Sequence, residues 1–139
     1  MLVVCIAKKD VDLYQTLSDS ETSRHILRFY HPRKTAWGIT IEVSTVSSSL
    51  SLLSELRWYI MRYMAEVLIE DVEHDVYLTR ELARRVYEER SVVLSAGWNL
   101  SFKVCVTEDG GCMRVPNAIS NPEKTIQVFK VWGSEEEHP

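Results

Sequence analysis

Between residues 98 and 106 apolar and polar side chains alternate without a break. Trp98, Leu100, Phe102, Val104 and Val106 fall on one side, and Asn99, Ser101, Lys103 and Cys105 on the other. A period of two is what a half-buried β-strand requires. The next residues, Thr107-Glu108-Asp109-Gly110-Gly111, have the composition of a hairpin turn. They predict a short return strand over residues 112–115. A second alternating run covers residues 37–43, with Trp37, Ile39, Ile41 and Val43 inward and Gly38, Thr40 and Glu42 outward. Residues 125–132 carry apolar side chains on both faces, which predicts a central strand. The run of Leu, Val, Cys and Ile over residues 2–7 reads as one more buried strand.

Helical periodicity enters between these strands. Leu52, Leu56, Tyr59, Ile60, Tyr63, Met64, Val67 and Leu68 recur at helical spacing and predict one long helix over residues 50–69. Leu78, Leu82 and Val86, with Ala83 beside them, predict a second helix from residue 76 or 78 to 90. Residues 10–23 are polar and read as a loop, and residues 26–30 as a short strand ended by His31-Pro32. The expected fold is therefore α+β. It is a single domain over residues 1–133, with antiparallel sheets packed against two consecutive helices on one side. The expected core is Ile39, Ile41, Leu56, Ile60, Tyr63, Leu82, Val86, Leu100, Phe102, Val104 and Val128. The acidic end, residues 134–139, is expected to be a frayed tail.

The 139 residues suit one domain, and 45% hydrophobic with 26% charged residues are ordinary globular values. Residues 1–70 carry eight basic and eight acidic side chains, and residues 71–139 carry eight and twelve. That balance argues against a uniformly basic nucleic-acid binder and leaves room for a local basic patch. The apolar start lacks a basic flank before it and is followed by Lys8-Lys9-Asp10, so it reads as a strand and not as a leader. No apolar run approaches bilayer length. Three cysteines at irregular spacing point to a reducing, intracellular setting. Cys105 and Cys112 lie on the two arms of the expected hairpin, so a bridge between them stays open.

Motifs of chemistry are sparse. The four histidines, His25, His31, His74 and His138, show no zinc-protease spacing, and no Cys-x-x-Cys or Gly-x-Ser-x-Gly occurs. Cys105 and Cys112 neighbour Glu108 and Asp109, whose charge disfavours a thiolate. The same carboxylates precede Gly110-Gly111 and would repel a phosphate there. The expectation is a protein without catalysis, metal or cofactor.

The most suggestive cluster is Arg24, Arg28, Arg33 and Lys34, with His25 and His31, enclosing Phe29 and Tyr30. That mixture suits RNA phosphates or acidic lipid headgroups; its plain alternative is a solvated basic edge strand. Arg80, Arg84 and Arg85 lie among Glu81, Glu88 and Glu89, which predicts pairing within one helix. Trp58 and Trp132 sit at the margins of their elements and are candidates for self-association.

The order of elements over residues 37–132 resembles the matrix proteins of rhabdoviruses and bornaviruses. The strand Ile39-Thr40-Ile41-Glu42-Val43, the helical run Leu52 to Leu68, and Gly97-Trp98-Asn99-Leu100-Ser101-Phe102-Lys103-Val104 carry the likeness. Tyr14-Gln15-Thr16-Leu17 has the Tyr-x-x-Leu form of some viral budding motifs. The resemblance implies a non-enzymatic viral structural protein of virion and host cytoplasm. Such a protein self-assembles and bridges a nucleoprotein to acidic membrane. Two other classes fit the same residues: an RNA-binding suppressor of host silencing, and a small cellular adaptor.

Overall fold

The computed structural model describes residues 1–89, 101–137 and 139. Its elements run β1 (Leu2–Ala7), α1 (Leu13–Asp19), α2 (Glu21–Ile26), β2 (Arg33–Lys34) and β3 (Gly38–Glu42). Then come α3 (Val46–Glu55), α4 (Arg57–Tyr63), β4 (Met64–Asp71), β5 (Val76–Thr79) and α5 (Arg80–Glu89). The chain closes with β6 (Ser101–Thr107), β7 (Cys112–Pro116), β8 (Thr125–Trp132) and a 3-10 turn, Glu135–Glu137. The described residues thus form one mixed α/β domain with five helices and an eight-stranded sheet in the order β2-β3-β1-β4-β5-β8-β6-β7. Every pairing is antiparallel except β5 with β8, where Tyr77 faces Val131 and Leu78 faces Trp132.

That short parallel seam divides the sheet into two parts that fold over one another. Along β1, Val3 and Cys5 point into one buried cluster, and Val4 and Ile6 into another. The first cluster takes all its helical members: Leu13 and Leu17 of α1, Leu52 and Leu53 of α3, Tyr59 of α4, and Leu82 and Ala83 of α5. The second joins Val4, Ile6 and Leu68 to Phe102, Val104 and Val106 of β6 and to Phe129 and Val131 of β8. The strands after α5 therefore cover the sheet face that the helices leave open. Arg114 of β7 locks the two parts together: its Nε and Nη2 donate to the two carboxylate oxygens of Glu66 on β4, both at 2.9 Å.

Several expectations need correction. The helix expected over residues 50–69 is two helices and a strand. The periodic residues Met64, Val67 and Leu68 belong to β4, where Val67, Leu68 and Ile69 are buried in succession because both faces are covered. A strand buried on both sides loses its alternation and imitates a helical stripe. The second helix begins at Arg80, with Val76–Thr79 forming β5; the Thr79 hydroxyl accepts the Leu82 N–H at 3.2 Å and caps α5. So the pair of helices on one side is replaced by five helices with β4 and β5 between α4 and α5.

The polar stretch 10–23 holds α1 and the first half of α2. Asp12 caps the first through Gln15 N–H and Ser20 the second through Ser23 N–H. Residues 26–30 are the end of α2 and a turn, not a strand. In the expected core Ile39, Ile41, Leu56, Leu82, Phe102 and Val104 are buried, while Ile60, Tyr63 and Val86 are half-buried. Val128 faces outward from β8 at 37% exposure, and Leu100 lies outside the described residues, as do Trp98 and Asn99.

The tail is also docked, not frayed, over residues 134–137. Ser134 is buried, and one Glu137 carboxylate oxygen accepts from the hydroxyls of Thr79 and Ser134 and from Ser134 N–H. The hairpin stands as read, its turn closed by Gly110 N–H to Thr107 O and by Gly110 at φ 90°, a left-handed value suited to glycine. Cys105 pairs in register with Met113 and Cys112 with Val106, and all three cysteines are free. Burial pushes the Cys5 thiol up to about 12 and the Cys112 thiol up to about 11. Among the described residues no helix is long and apolar enough to cross a membrane.

Candidate nucleic-acid interface

The basic cluster forms where α2 gives way to the edge of the sheet. Ser20 and Ser23 stabilise the start of α2, and Leu27 stops it; its N–H bonds back to Ser23 O at 2.9 Å. Leu27 is buried and anchors the turn, and Tyr30 packs on the same cluster. Between them the chain turns outward, so Phe29 is 80% exposed. Arg28 holds that ring in place. Its guanidinium stands 4.6 Å from the ring centroid and donates to His25 O at 2.6 Å. A large aromatic ring in water with a cation on it is a stacking platform for a flat ligand.

His31-Pro32 then leads into β2, the sheet's edge. Arg33 pairs with Thr40 and Lys34 with Ile39, so their side chains leave on opposite sides of the strand. A groove of about 540 Å³ opens beside Arg33, lined by Leu2, Phe29, His31, Thr40 and Glu42 among others. Arg28, Phe29, His31 and Arg33 are therefore brought together.

The other two cations lie apart from this group. Lys34 reaches back to Asp12 at 3.1 Å, and the Gln15 N–H together with Lys34 holds the Asp12 carboxyl below its ordinary range. Arg24 lines a smaller pocket of about 160 Å³ with Tyr14, Leu17 and Pro32. Arg24, Arg28 and Arg33 are exposed, and none forms an ion pair among the described residues. The contrast is Arg84, which pairs with Glu81 and Glu88 along α5 as its spacing predicts.

The remaining candidates divide by exposure. Tyr14 is 41% exposed on α1, but Leu17, on the same helix, is buried in the core. The Tyr-x-x-Leu segment is thus not presented as an extended peptide while α1 is folded. Trp58 is 51% exposed on α4 with Arg62 stacked 4.3 Å from its ring. Trp132 is half-buried and packs against the helical cluster, with Lys130 6.0 Å from its ring.

Sequence reasoning enclosed Phe29 in the patch without marking it as the exposed member. The signal was its place between Leu27, a core residue, and Tyr30, which packs on the core, in a turn too short to bury a third large side chain.

With this geometry in hand, the sequence model of a family of unknown function matches residues 2–100. The chain belongs to DUF5804. No curated protein and no solved structure matches it. The DUF5804 match contains every element from β1 to α5, and so the whole basic face; β6, β7 and β8 lie beyond it.

Proposed function

We propose that this chain is a non-enzymatic RNA-binding protein whose α2–β2 face takes a flexible single strand. One observation carries the reading: an 80% exposed Phe29, stacked by Arg28, stands beside a groove flanked by Arg33 and His31. The guanidinium groups take phosphates and the ring takes a base, which needs an unstacked strand. A duplex would offer phosphates but no free base face. The Glu42 carboxylate in the groove keeps the site from being a plain polyanion trap and favours a ligand with donor groups as well as charge.

Fluorescence anisotropy of a labelled oligouridine tests this. Phe29→Ala is expected to weaken binding by about 1–3 kcal/mol, the worth of one stacked base. Arg28→Ser with Arg33→Ser is expected to weaken it further and to flatten the salt dependence, since each lost phosphate contact removes about 0.7 from the slope for a single strand. Binding unchanged in all three substitutions would leave the face a solvated edge.

A second reading, the self-assembling matrix-like layer linking nucleoprotein and acidic lipid, is favoured by the exposed Trp58 and Met61 on α4. The strand–long helix–helix order that prompted it is not the order found, because β4 and β5 interrupt the helices. Anionic vesicles tested beside the oligouridine separate the two.

A further inference from the structure

α4 and the β4–β5 turn lie at opposite ends of one strand and differ in both charge and shape. α4 runs directly into β4, and its outer side exposes Trp58 at 51% and Met61 at 67%. Arg57 and Arg62 flank these residues, and Lys8 adds a third cation by donating to Met61 O at 3.0 Å. None of the three cations forms an ion pair among the described residues. At the far end of β4 the turn 72–75 projects Val72, 56% exposed, between Asp71 and Glu73, with Asp75 following. Asp71 is occupied, since its carboxylate accepts from the His74 ring at 2.8 Å and from His74 N–H at 3.3 Å. Asp75 sits at φ 53° and tightens the turn. Glu73 and Asp75 are exposed and form no ion pair among the described residues.

We propose that the turn 72–75 of one copy seats on the α4 face of the next, so that the chain associates head to tail. Charge complementarity selects this occupant. Val72 meets Trp58 and Met61, while Glu73 and Asp75 meet Arg57 and Arg62. The two surfaces cannot meet within one copy, because the eight residues of β4 separate them by about 23 Å at the rise of a strand. A symmetric pair formed face to face through α4 would set Arg57 and Arg62 against their own copies, a like-charge contact that costs affinity. A contact between unlike surfaces at opposite ends of the molecule is heterologous and stays open unless its rotation closes a ring. The contact is small, so association is weak and weakens with salt.

Sedimentation velocity over a concentration series at low salt tests the proposal. The mass average is expected to rise past that of a dimer without a plateau, and to fall back at high salt. Arg57→Glu with Arg62→Glu is expected to be monomeric, and so is Glu73→Arg with Asp75→Asn. Mixed one to one, the two variants are expected to associate again, because each supplies the surface the other has lost. Met61→Ser, which alters no charge, is expected to weaken association several-fold. A monomeric wild-type chain, a mass that stops at a dimer, or a mixture that stays monomeric while the wild type assembles would each overturn the proposal. None of these outcomes depends on RNA.

Discussion

The part of the sheet over residues 2–79 and the part over residues 101–132 are built from similar strands but covered differently. The first is enclosed on both faces along β1 and β4, by the helices on one side and by β6 and β8 on the other. In the second, β6 is buried on both faces, its outer side covered by the loop that carries Asn117, Ile119 and Asn121, while β7 and β8 are enclosed on one face only. Their outward side chains Met113, Ile126 and Val128 are 45%, 51% and 37% exposed. The difference shows in the burial along each strand. In β4 three successive residues, Val67 to Ile69, are buried, whereas in the last half of β8 only Phe129 and Val131 are. The N-terminal part therefore depends on the C-terminal part for half of its cover, and the two should unfold together.

The largest test of that dependence is Phe102→Ala. Phe102 is fully buried in the cluster shared by both parts. Its loss is expected to cost about 3–5 kcal/mol, read by urea denaturation, with tryptophan fluorescence and far-UV circular dichroism giving the same midpoint. Separate midpoints would show two independent units. Next comes Arg114→Met, which takes from the Glu66 carboxylate the guanidinium that joins β7 to β4; about 1–3 kcal/mol is expected. Val128→Thr, on the uncovered face, should change stability by less than about 0.5 kcal/mol. A cost as large as that of Phe102→Ala would mean the outer face is buried by self-association.

The smallest effect is local to the β4–β5 turn. The hydrogen bond that the His74 ring donates to Asp71, with the carboxylate's charge behind it, raises the His74 pKa above its ordinary value of 6.5. A raised folded value means the contribution is fully present below pH 6.5 and fades as pH climbs through the folded pKa. Proton NMR titration should place His74 above its ordinary value in the wild type and lower in Asp71→Asn than in the wild type.

What could be read from the sequence follows the same division. β8 is found over residues 125–132, the span its pattern marked, and the Gly110-Gly111 turn closes the hairpin as composition indicated. In the C-terminal part, alternation survives in Phe102, Val104 and Val106 and identifies the inner face. Near the sheet's edge β3 keeps it in Ile39 and Ile41, and in β4, covered on both faces, it vanishes. Tyr63 passes from α4 into β4 with no glycine or proline to mark the change, so one apolar run hid two kinds of structure. The caps at Asp12 and Ser20 were visible in principle, with Gln15 three residues after the first. The helices they open have only seven and six residues, too few to show a period. At the candidate site, composition identified Arg28 and Arg33 but not their separation from Lys34. That separation follows from the two-residue β2, which sends neighbouring side chains to opposite sides.

The central claim is that the chain's ligand surface is the cationic turn beside β2, not the apolar outer face of β7 and β8. Amide chemical-shift mapping with a short oligouridine tests it directly. Shifts are expected at residues 28–34 and 40–44, the segments that line the groove with Phe29 and Arg33. They should vanish in Phe29→Ala with Arg33→Ser. Shifts confined to Met113, Ile126 and Val128 and their neighbours, or no shifts at saturating RNA, would contradict the account.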